Sequence, residues 1–118
     1  MNRAKDERAE RCKKLADLLI PPLRHVSYRH GYALAVHGSL AYDIDLIACP
    51  WREGCTDATV LSQALTDTVA SILGDLQVEL TGPAEKPHHR VAYSIHMAGG
   101  VYLDLSVMPR ISQEEPNN

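Results

Sequence analysis

The stretch YALAVHGSLAYDIDLIACPW, residues 32–51, sets Asp43 and Asp45 two residues apart at the head of a run that otherwise reads as buried strand. Side chains two apart on a strand share one face, so both carboxylates point the same way. A carboxylate taken out of water is costly unless a cation or good hydrogen bonds compensate. Just ahead, Gly38 and Ser39 follow a strand. A glycine there lets the backbone approach a phosphate, and the serine adds a hydroxyl and an N–H.

A third acid comes from a hairpin. RVAYSIHM and VYLDLSVM flank Ala98-Gly99-Gly100, and apolar residues fall at odd positions in both arms. Residues directly opposite share a face, so odd must pair with odd. A three-residue loop over 98–100 satisfies this, whereas a two-residue Gly-Gly turn would set Met97 opposite Tyr102. The even face then carries Ala92, Ser94 and His96 opposite Ser106, Asp104 and Tyr102. Three aspartates on strands of one small sheet are the parts of a divalent-metal site, for one ion or two. Magnesium fits best, because it takes carboxylate oxygens and keeps waters and substrate phosphates as its other ligands.

The elements that must position these groups follow from periodicity. Residues 3–19 read as a helix with the stripe Cys12, Leu15, Ala16, Leu19, and Pro21 and Pro22 predict its end. A short helix from Pro22 to His30 would follow, stopped at Gly31. Strands are expected over 32–37 and 43–49. A further helix starts at Thr56 or Asp57, runs to about Leu73 and ends at Gly74. Leu76, Val78 and Leu80 alternate as a strand, while TGPAEKPHH reads as a loop by its glycine, prolines and charges.

With 118 residues the chain makes one domain, read as a helical arm over 1–30, a sheet core over 32–108 and a flexible tail over 109–118. No apolar run approaches a membrane span, and the first residues are charged where a signal peptide would be apolar. Cys12, Cys49 and Cys55 have no metal-type spacing, so free thiols in a cytoplasmic protein are expected. Cys49 reads as core and Trp51 as a cover over a strand end. The net charge of -3 hides a basic start: residues 1–14 sum to +3 and the rest to -6. Such a mixed helix is most simply a solvated face, and an acidic body argues against broad nucleic-acid binding. His37 and His96 read as hydrogen-bonded sheet histidines. His88 and His89, adjacent on the chain, point opposite ways and make a poor zinc pair.

Strand, GS, then DIDL, with a distant YLDLSV, resembles the nucleotidyltransferase superfamily, whose fold is shared with DNA polymerase beta. The resemblance covers about 32–107 and is closest to minimal single-domain members; small phage and prophage proteins have a similar look. It implies that Gly38 and Ser39 grip a triphosphate, that Asp43 and Asp45 bind metal, and that Asp104 completes the site. Members of that superfamily usually carry a longer stretch between Gly-Ser and Asp-x-Asp, often with a basic residue. Here only Leu40, Ala41 and Tyr42 intervene. Replacement cations are expected from EKPHHR, chiefly Lys86 and Arg90, which lead into the strand beside Asp104.

The fold expected is therefore α/β (α+β), a small mixed sheet with helices packed on one side. The expected activity is transfer of a nucleoside monophosphate from a nucleoside triphosphate, with magnesium, to an acceptor that is a protein, an RNA or a small molecule. One domain leaves no room for a separate acceptor module, so either the acceptor is a partner or another subunit completes the site. The alternative is a catalytically idle binding module of the same fold, antitoxin-like or regulatory.

Overall fold

The computed structural model describes residues 3–41, 43–74 and 77–110. In chain order it contains α1 (Arg3–Arg29), β1 (Tyr32–His37), β2 (Ile44–Pro50), α2 (Ala58–Leu73), β3 (Glu79–Lys86), a tight turn (Pro87–His89), β4 (Arg90–His96) and β5 (Tyr102–Val107). Leu76 of the expected third strand and residues 111–118 of the expected tail lie outside the described residues. The strands form one sheet in the order β1-β2-β5-β4-β3. Neighbours run antiparallel except β2 and β5, which are parallel. The expected mixed sheet with helices on one side is what the chain adopts.

Period-2 alternation decides the faces. Ile44, Leu46 and Ala48 of β2, with Leu103, Leu105 and Val107 of β5, are buried beneath the helices. They meet Cys12, Ala16, Leu19 and Leu23 of α1 and Leu61, Leu65 and Val69 of α2 in one core. The intervening residues of β2 and β5 lie on the other, open face. Cys49 is thus exposed rather than core, because it shares the odd positions of β2 with Asp45. The β4–β5 register is the one expected from the hairpin: Val91 pairs Val107, Tyr93 pairs Leu105, and Ser94 pairs Asp104.

Two expectations about element ends fail because tertiary packing overrides local backbone preference. Pro21 and Pro22 do not end the first helix; they lie inside α1, which continues to Arg29. They leave the Asp17 and Leu18 carbonyls without helical donors, but both residues are exposed, where water can serve. The stripe Cys12, Ala16, Leu19, Ile20, Leu23 and Ser27 stays buried straight through the prolines, and that packing carries the helix across them. Likewise TGPAEKPHH is not mostly loop: β3 runs to Lys86 along β4, with a register shift between Thr81 and Ala84. As an edge strand β3 has one partner only, so Pro83 can lack an N–H there, and Gly82 takes up the irregularity at φ 118.

The end of α2 matches its reading. Asp57 caps the N-terminus, accepting from the Val60 N–H at 2.9 Å, and Gly74 ends the helix in the left-handed region. Trp51 follows the last residue of β2. It stacks on Tyr28 of α1, ring centroids 4.8 Å apart, and remains 43% exposed. No helix among the described residues is long and apolar enough to cross a membrane.

Since the prolines are tolerated rather than required, Pro21→Ala should stabilise the protein by about 1–3 kcal/mol by restoring a helical donor. Urea unfolding measures this. An unchanged or lower midpoint would mean that the proline is needed for the path of α1 over the sheet.

Candidate functional site

The parallel pairing of β2 with β5 sets Asp45 directly beside Asp104 on the open face. Asp43 sits in the bend just before β2. One carboxylate oxygen from each of the three lies within 4.8 Å of the others, and all three residues are half-buried. The three acids expected to converge do so.

The turn ahead of Asp43 is built tightly against this cluster. Gly38 has φ 84, and a Cβ added there would stand 2.8 Å from Asp45 Oδ2. The left-handed backbone favours glycine there, and a larger residue would push the Asp45 carboxylate aside. Ser39 Oγ accepts a hydrogen bond from the Ala41 N–H at 3.2 Å, which tightens the turn. Tyr42 lies outside the described residues.

Mutual repulsion marks the electrostatics. Burial pushes the Asp45 carboxyl above its ordinary range, the Asp104 charge adds to this and Asp43 adds a little more, while His37 opposes them. The Tyr102 phenol is raised chiefly by the Asp43 charge. The Cys12 thiol is raised by its burial and then by Asp43. Compensation comes from three directions. Ser94, cross-strand from Asp104, donates its hydroxyl to Asp104 Oδ1 at 3.2 Å. Arg8 of α1 brings Nη2 to 3.8 Å from Asp43 Oδ1 and donates from the same nitrogen to the Gly100 carbonyl at 3.0 Å. Arg11 reaches the Gly99 carbonyl at 3.5 Å. His37 pairs in register with Asp45 from β1.

A cleft of about 430 Å³ opens over Asp45 and Asp104, lined also by His37, Lys86, Ser94 and Ser106. Of the basic residues expected to face it, Lys86 does. Arg90 does not line it; the guanidinium donates to Ser106 Oγ at 3.3 Å and to the Pro87 carbonyl at 3.4 Å, beside a separate hollow. His96 is hydrogen-bonded as expected, to Thr81 Oγ1 at 3.1 Å through Nε2. Sequence reasoning missed Arg8 as part of the site. The only signal was a charged helix, and nothing in its spacing says which arginine will meet the hairpin loop.

The sequence matches no protein-family model and no curated protein.

The donor set fits a hard divalent cation. Three carboxylates offer oxygen ligands on an accessible face, their repulsion is only partly offset, and Gly38 leaves the backbone close to Asp45. Oxygens sharing one magnesium lie up to about 4 Å apart, so small side-chain rotations bring these into range.

Asp45→Asn should raise the stability of the metal-free protein by about 1 kcal/mol, the scale of a partly screened repulsion relieved. The sign has a pH signature. A carboxyl raised by folding makes its most favourable contribution to stability in acid, where Asp45 is neutral, and that contribution is lost as pH rises through its raised value. The mutant's advantage should therefore vanish in acid and grow toward neutral pH in thermal melts. A mutant less stable at neutral pH would make Asp45 a structural hydrogen-bonding residue. Arg8→Ala should act in the opposite direction, lowering metal-free stability by less than about 1 kcal/mol, since the pair is partly exposed.

Proposed function

We propose that this protein transfers a nucleoside monophosphate from a nucleoside triphosphate to an acceptor hydroxyl, with magnesium held by Asp43, Asp45 and Asp104. The observation that carries the reading is the convergence of these three carboxylates on an open sheet face, beside a tight Gly-Ser turn and a cleft that also holds a lysine. The sequence resemblance to nucleotidyltransferases points the same way. Magnesium bound there would neutralise phosphate charge and lower the pKa of a coordinated acceptor hydroxyl.

The chain's own residues would do the rest. Gly38, free of a side chain, leaves room for the Asp45 carboxylate beside the turn, and the Ser39 hydroxyl and backbone N–H would be offered to a phosphate. Lys86, exposed on the cleft and without an ion pair among the described residues, supplies a positive charge to the phosphates from the β3 side. Ser94 holds Asp104 Oδ1 by donating to it, which fixes the carboxylate's orientation. The acceptor oxygen would attack the α-phosphorus, forming one P–O bond as the bond to the pyrophosphate leaving group breaks. The acceptor's proton leaves to water or a carboxylate.

A second reading has its own observation. Arg8 already sits beside Asp43, and the segment 40–42 carries no basic side chain. An acid cluster partly satisfied by an internal arginine suits an idle binding module of the same fold.

Calorimetry with magnesium and the four ribonucleoside triphosphates separates the two. The enzyme reading expects magnesium to tighten triphosphate binding sharply. Lys86→Ala should weaken triphosphate binding about tenfold, the scale of one charge-assisted contact, with magnesium affinity unchanged. Absence of triphosphate binding in the parent protein, with or without metal, would establish the idle module instead.

A further inference from the structure

At the β3–β4 turn lies a second hollow of about 350 Å³, lined by Glu85, Lys86, His88, His89, Arg90 and Val91. Lys86 borders both this hollow and the acid cleft. We propose that it is a phosphate-binding pocket, separate from the carboxylate centre and joined to it through Lys86.

Three independent features support this. The first is charge. Lys86 and Arg90 bring two fixed positive charges against the one carboxylate of Glu85, and two imidazoles add donors. The second is orientation. The Arg90 guanidinium is held by Nε on the Pro87 carbonyl and by Nη1 on Ser106 Oγ. Its Nη2 has no partner among the described residues, so a rigid fork is presented with one edge open. The third is backbone strain. His88 and His89 both occupy the left-handed region, φ 67 and 64. Glycine or asparagine would make this turn at less cost, yet here it carries two imidazoles to the rim of a basic hollow. Charge, a preoriented donor and strain at one place describe an anion site better than a solvated tip.

The ligand chemistry is a phosphate group, and two sources could supply it: the far end of a bound triphosphate, or a phosphate on the acceptor. In the second case Lys86 would stand between donor and acceptor phosphates. The pocket itself does not depend on metal in the acid cleft.

Ring-proton NMR of His88 and His89 tests the proposal. Inorganic phosphate added without divalent metal should shift both rings saturably, where chloride at equal ionic strength does not. Arg90→Ala should weaken this binding about tenfold. His88→Asn, which keeps the left-handed turn, should weaken it about threefold if Arg90→Ala fails to fold. Asp45→Asn should leave it unchanged, so loss of the metal reading and loss of this one are separable. A magnesium-triphosphate that shifts the rings identifies the donor's tail as the source. A 5′-phosphorylated dinucleotide that shifts them, when its unphosphorylated counterpart does not, identifies the acceptor. Rings that respond to phosphate no more than to chloride, or a His89 ring that responds equally in the parent, Arg90→Ala and His88→Asn, would overturn the proposal.

Discussion

The parallel register of β2 against β5 is the constraint on which the site depends. Leu46 pairs with Leu105 and Ile44 with Leu103, and all four are buried under the helices. Because strand side chains alternate, sinking those residues forces Asp45 and Asp104 together onto the opposite face. A slip of one residue in β5 would bury Asp104 and expose Leu103 and Leu105. The hydrophobic core thus holds two like charges side by side, at a cost neither strand would accept alone. At separations within 4.8 Å the repulsion is at least about 3.5 kcal/mol per pair for an effective dielectric of about 20, before solvent screening.

Everything around the cluster responds to that charge. Arg8, Ser94 and His37 come from three different elements, α1, β4 and β1. None of them buries the acids fully, and the open face leaves room for a cation to complete the balance. A structure that needed only stability could place asparagine or serine at these positions. The same open face joins the acids to Lys86, so the cation-seeking and anion-seeking parts of the cleft lie within one cavity. The strained β3–β4 turn extends the basic side further, away from the carboxylates.

The site was more legible in the sequence than the elements around it. Period 2 and an odd-to-odd hairpin were enough to place Asp104 opposite Ser94, because a buried face leaves no freedom in register. Pro21, Pro22 and the run from Thr81 to Lys86 misled for the opposite reason. Proline and glycine report local backbone preference, whereas a continuous buried stripe and an edge position are tertiary facts that override it. The apolar type of Cys49 suggests core, but the alternation that places Asp45 outward places Cys49 outward too. Arg8 could not be read at all. Its partners are 35 and 92 residues away and depend on how α1 crosses the sheet.

The central claim is that Asp43, Asp45 and Asp104 form one divalent-cation centre. Crystals grown with manganese, whose anomalous scattering locates it without ambiguity, test that claim most directly. The account predicts a peak bonded to oxygens of at least two of the three aspartates, one of them Asp104, on the open face beside Gly38. A metal-soaked crystal with no peak there, and with the three carboxylates turned apart or closed on Arg8, would contradict it.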